Sequence, residues 1–148
     1  MQAGIGSAAR GFDPARVLML GGVKVPGVWG LRGPGDGDVL LTAIADAALG
    51  AAGLGDVGDH VREDEADAPS AALVAECVVK LAARGLVVKH VDASLMSDRA
   101  EVRAERHSMK ARIASLLGVD EGAVNVKTSD ASEDGITAQA IVTVGESA

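Results

Sequence analysis

Asp36, Asp38, Thr42 and Asp46 stand at spacings that can do chemistry. They lie in GDGDVLLTAIADAALGAAGLGD, residues 35–56, where a glycine-flanked pair of acids opens an apolar run. Residues four apart share a stripe of a helix, so Asp38, Thr42 and Asp46 put two carboxylates and a hydroxyl on one side. Such a stripe can hold a metal or a polar substrate, or serve the helix itself. Asp56 and Gly58 follow in GLGDVGDH, and His60 closes that turn. A carboxylate in a dry cleft titrates outside its ordinary range. Asp38, Asp46, Asp56 and His60 are therefore the candidate acid–base groups, and Asp36, Thr42 and Gly58 the candidate ligand-pocket residues around them.

The elements that must position these groups can be read from periodicity. Asp38 suits an N-cap, its carboxylate accepting backbone N–H groups of the first helical turn. Leu41, Ile44, Ala45, Ala48 and Leu49 then give an apolar helical face, and Gly53 stops it. VLMLGGVKV, residues 17–25, predicts two short strands around a Gly-Gly turn, and VPGVWGLRGPGDG a loop. The charged run VREDEADAPS reads as a loop. Ser70 opens a second helix that stops at Gly85, GLVVKHVDASLM predicts a strand, and a third helix runs from about 100 to 117. AVNVKTS and ITAQAIVTV predict two more strands, joined through ASEDG. The order implies an α+β fold in one domain, residues 1–148: a single sheet with helices on one face. The other face calls for self-association around a symmetry axis.

Composition excludes some partners. The chain has a net charge of −7 and only Phe12 and Trp29 as aromatic rings, so it repels phosphate backbones and offers little for bases to stack on. Nucleic acid is not expected as a partner, nor is a membrane, since the N-terminus lacks a long apolar stretch. The single cysteine, Cys77, sits in an apolar pattern and reads as a buried thiol in a reducing cytoplasm. The three histidines, His60, His90 and His107, match no zinc spacing and read as structural or surface residues.

The pattern GGVKVP … GLRGPGDGDVLLTAIADAALGAAGLGDVG resembles the 2-C-methyl-D-erythritol 2,4-cyclodiphosphate synthases, whose usual run reads H-S-D-G-D-V before a helix carrying A-L-G-A-A-G-L-G-D-I-G. LLGVDEGAVNVKTS is similar to that family's L-G … V-N-V-K-A-T-T. The resemblance implies a homotrimer with sheets packed around the three-fold axis and a small-molecule site between subunits. It also implies zinc and a second divalent cation, which hold the diphosphate of a cytidine-diphosphate-activated methylerythritol phosphate. The substrate's own phosphate attacks, CMP leaves and a cyclic diphosphate forms. In such proteins Asp56 and Gly58 would line the polyol pocket.

Residue by residue, the resemblance breaks at the metal. The family's helix histidine falls on Thr42, and its loop His-Ser on Pro34 and Gly35. Its N-terminal Asp-x-His pair aligns in two ways: on Asp13 and Ala15, or on GIGSAAR, where even the aspartate is lost, to Arg10. SDRAEV replaces the nucleotide-contacting A-P-K stretch, and TSDASEDG the diphosphate segment. There Lys127, Thr128 and Ser129 remain as pocket candidates, and Glu133 stands near the place of the second metal's glutamate. A catalytic zinc takes about three protein ligands. The expectation is therefore no metal, no cofactor, a lost inherited activity, and a trimer cleft repurposed for a different small molecule, in specialised metabolism. The alternatives are a non-catalytic binding or scaffold pseudoenzyme, or a residual CMP-releasing synthase.

Overall fold

The computed structural model describes residues 1–61, 67–130 and 134–148. Glu133 and most of the charged run after Val61 lie outside the described residues, as does most of the ASEDG connection. In chain order the elements are β1 (Gln2–Leu20), β2 (Val23–Leu31), α1 (Val39–Ala51), a 3-10 turn (Val57–Asp59), α2 (Ser70–Ala82), β3 (Leu86–Met96), α3 (Ala100–Ala104), α4 (Arg106–Leu117), a second 3-10 turn (Glu121–Ala123), β4 (Val124–Ser129) and β5 (Gly135–Glu146).

The five strands form one mixed sheet in the order β2-β1-β5-β3-β4, with β3 and β4 parallel and the other neighbours antiparallel. The α+β expectation therefore holds. Helices cover one face, where Ala138, Ala140, Val142 and Val144 of β5 and Val91, Ala93 and Leu95 of β3 are buried. On the opposite face Ile5 and Ile141 sit in register on β1 and β5, 70% and 50% exposed.

Two sequence expectations need correction. The first strand begins at Gln2, far before residue 17, and the second runs on to Leu31 through residues expected to form a loop. Its Pro26 is tolerated because β2 is an edge strand. The helix expected over 100–117 is broken at Glu105 into α3 and α4. The Gly-Gly turn is as expected: Gly21 and Gly22 both have positive φ, a conformation that L side chains resist.

Small residues explain how α1 meets the sheet. Gly4, Gly6 and Ala8 alternate along the helix-facing side of β1. A Cβ at Gly6 would stand 2.5 Å from the backbone nitrogen of Ala47 and closer still to the Ala43 carbonyl oxygen. At Gly4 it would collide with the Ala47 carbonyl. With no side chain in the way, the alanine-rich face of α1 packs directly on the strand, and this brings the next helix-facing residue of β1, Arg10, beside Thr42.

Candidate functional site

Asp38 forms the hinge of the site, and its carboxylate is fully consumed. It caps α1 by accepting Leu41 N–H on Oδ1 at 3.0 Å. Oδ1 also accepts Gly21 N–H at 3.0 Å, and Oδ2 accepts Gly22 N–H at 2.8 Å. The side chain is 0% exposed. Burial pushes its carboxyl up to about 6, despite the hydrogen bonds from Leu41, Gly22 and Gly21, which favour the anion; the neighbouring Asp36 charge adds to the rise. Asp38 thus joins the β1–β2 turn to α1 from the protein interior.

Asp36 does the equivalent for α2. Its Oδ1 accepts the Ser70 hydroxyl at 2.6 Å and the Asp38 N–H at 3.2 Å. It also receives Ser70 N–H at 3.3 Å, at the start of a helix whose N-cap, Pro69, brings no capping side chain. The Thr42 hydroxyl donates to the Asp38 carbonyl at 2.8 Å, so Thr42 is tied back along its own helix rather than bridging the two acids. Asp46 accepts Val57 N–H at 3.2 Å and so pins the 3-10 turn against α1. Asp56 caps that turn, its carboxylate accepting Asp59 N–H at 3.2 Å while Asp59 accepts Asp56 N–H at 3.1 Å.

Two adjoining cavities result. One of about 310 Å³ runs between α1 and α2, lined by Arg10, Pro34, Thr42, Val57, Pro69, Ser70, Leu73 and Glu76. The other, about 360 Å³, is lined by Ala8, Arg10, Thr42, Asp46, Asp56, Val57 and Gly58. Arg10 and Thr42 line both. The Gly4–Arg10 segment is therefore the N-terminal stretch that faces Thr42. Asp13 turns to the Ala15 N–H at an exposed bend and lines neither cavity.

The other candidates lie elsewhere. His60 donates from Nε2 to the Leu54 carbonyl at 2.7 Å, which leaves Nδ1 to accept from Lys80 Nζ at 2.7 Å. It lines neither cavity. Lys127 is paired with Asp92 at 2.8 Å, and this contact, with Asn125, holds the Asp92 carboxyl below its ordinary range. Thr128 accepts from Arg103 Nη1 at 2.9 Å, and Ser129 ends β4 beside it. Within one chain, then, the carboxylate cluster of α1 and the β4 hydroxyls form two separate groups. Ser70 is a pocket residue that the sequence does not single out, and Arg10 enters there only as the residue replacing the family's aspartate in one of two alignments; the two-residue alternation of Gly4, Gly6, Ala8 and Arg10 is the signal that decides between them.

The chain matches the YgbB family over residues 1–145. It belongs to that family, the 2-C-methyl-D-erythritol 2,4-cyclodiphosphate synthases. A synthase of that name from Salinibacter ruber is 38% identical over 97% of this chain and 98% of its own length. One from Chromobacterium violaceum is 45% identical over 76% of this chain and 73% of its own. Among solved structures, the bifunctional IspDF of Campylobacter jejuni superposes with a TM-score of 0.91 at 29% identity, covering 99% of this chain and 42% of that one. A stand-alone 2C-methyl-D-erythritol-2,4-cyclodiphosphate synthase superposes at 0.89 with 25% identity, over 97% of this chain and 99% of the other.

Membership agrees with the resemblance read from the GDGDV and GLGDVG blocks. It overturns the expectation of a lost activity in a repurposed cleft, and with it the pseudoenzyme and specialised-metabolism readings. Four relatives sharing 36–45% of their residues with this chain carry the synthase name. The expectation gave decisive weight to a few metal positions. The likeness extends over the whole scaffold that shapes the cleft.

Proposed function

We propose that this YgbB-family chain carries out the cyclisation for which its relatives are named. A phosphate of a cytidine-diphosphate-activated methylerythritol phosphate attacks the outer phosphorus of the diphosphate. The P–O bond to the cytidine-bearing phosphate breaks, and CMP leaves with the electron pair. The observation that carries this reading is the cavity where Thr42, Asp46, Asp56 and Gly58 meet, with Asp46 clamping the Asp56–Gly58 turn through Val57 N–H. Asp56 and Gly58 are the residues that the resemblance assigns to the polyol, and an exposed carboxylate can accept hydrogen bonds from polyol hydroxyls.

The zinc that the resemblance implies does not fit the groups at its position. Arg10 offers a cation there, and Thr42 a hydroxyl whose proton is committed to the Asp38 carbonyl. Among the described residues no three His, Cys, Asp or Glu side chains gather. Binding and orientation of the substrate accordingly fall to the chain's own groups.

A homotrimer is part of the same reading. Ile5 and Ile141 on the open face of the sheet support it, since apolar residues in register need a cover. In such a trimer the ligand site would lie between subunits, as the resemblance implies. The free, buried Cys77 supports a cytoplasmic setting. No helix among the described residues is long and apolar enough to cross a membrane. The test is CMP release from the cytidine-diphosphate-activated substrate, followed by chromatography with phosphorus NMR of the product. A cyclic diphosphate formed in step with CMP is the expected result. No CMP at enzyme concentrations matching the substrate would overturn the reading.

A further inference from the structure

Arg10 is the one basic side chain lining either cavity among the described residues, and it lines both. Its neighbours Asp46, Asp56 and Glu76 are acids in a chain of net charge −7, so a phosphate entering there meets like charge unless Arg10 receives it. Its Nε is buried and has no hydrogen-bond partner among the described residues. A buried donor of this kind needs an acceptor. Neither Asp46, Asp56 nor Glu76 supplies it: the ion pairs among the described residues are Lys80–Glu76 and Lys127–Asp92. The Arg10 stem passes over Gly33. A Cβ on Gly33 would stand 2.5 Å from both Cδ and Nε, so this glycine leaves room for the side chain as it lies.

We propose that Arg10 is the oxyanion-binding group of this cleft, its guanidinium receiving a phosphoryl group of the diphosphate where the resemblance puts a metal ion. A guanidinium is permanently charged, and its planar fork matches two oxygens of a phosphate. The small Ala8 beside it leaves room for those oxygens. Thr42, whose proton is already given to Asp38, turns only lone pairs to a ligand and so favours a hydroxyl-bearing neighbour of the phosphate. That the anion is a diphosphate ester rests on the synthase reading; that the site takes a phosphoryl anion does not.

The test is calorimetric titration of inorganic pyrophosphate and of cytidine 5′-diphosphate into the whole chain in EDTA, with and without later zinc. Wild type should bind both in EDTA, with no tightening by zinc. Arg10→Met should weaken binding about 10- to 100-fold, and Arg10→Lys, a point charge without the fork, by less. Should Arg10→Met fail to fold, Arg10→Lys and the zinc arm still decide the matter. No pyrophosphate binding in EDTA, or equal binding by wild type and both variants, would overturn the assignment. CMP release together with Arg10-independent binding would overturn the anion role and leave the synthase reading standing. Arg10-dependent binding without CMP release would do the reverse.

Discussion

Replacing Asp38 by alanine removes the acceptor for three backbone N–H groups at once, those of Gly21, Gly22 and Leu41. A buried donor left unpaired costs about 1–3 kcal/mol. Part of that loss is offset at neutral pH, because the buried carboxylate is itself disfavoured. Its carboxyl is raised from 3.8 to about 6, which lowers folded-state stability by roughly 3 kcal/mol once the group is ionised. The sign follows from proton binding: between those two values the folded chain holds a proton that the unfolded chain has released. The contribution is thus full below 3.8 and lost as pH rises through about 6. Three such donors come to about 3–9 kcal/mol, so Asp38→Ala should lose up to about 6 kcal/mol near pH 7 and about 3–9 kcal/mol near pH 4. Asp38→Asn keeps one oxygen for Gly21 and Leu41 but turns an NH2 toward Gly22, so it should fall between the two. The assay is urea unfolding followed by circular dichroism at fixed protomer concentration, at both pH values. A loss under about 1 kcal/mol for Asp38→Ala near pH 4, or a loss that shrinks toward acid pH, would refute the reasoning.

Two further perturbations probe the scaffold. Gly6→Ala drives a methyl group into the Ala43–Ala47 backbone of α1, and overpacking of this kind costs about 1–3 kcal/mol, so the thermal midpoint should fall by about 3–10 °C; an unchanged midpoint would show that α1 can slide. The Cys77 thiol is pushed up to about 11, chiefly by burial, with Lys80 opposing and Glu76 and Asp46 adding to the rise. A thiol-reactive dye should thus label the native chain at neutral pH far more slowly than the urea-unfolded chain, and equal rates would contradict the buried placement.

The Asp38 cap was legible in the sequence because capping is local: an acid before an apolar periodic run has few other uses. The same holds for the stops at Gly53 and Gly85, both with positive φ. Residues 2–16 carry no strand signal in their hydrophobic periodicity, because their glycines and alanines look like a flexible lead-in until the helix that lies on them is known. The break at Glu105 was equally hidden, since Val102, Met109 and Ile113 keep a helical stripe across it and all three are buried. His60 and Lys127 were credible site residues by type, yet each is engaged by a partner distant in sequence, Lys80 and Asp92.

What the sequence determined by itself was the local grammar and the lineage: the acid cap, the turn glycines, the element types, and the blocks that mark the family. These depend on neighbours a few residues apart, where propensity and spacing act directly. Tertiary structure alone decided that Asp38 is a buried fastener, that Asp36 serves a helix starting 34 positions on, and that Arg10 reaches the cavity beside Thr42. Each of those outcomes depends on which surfaces come together. Here that was settled by two glycines of β1, whose missing side chains let α1 lie directly on the strand.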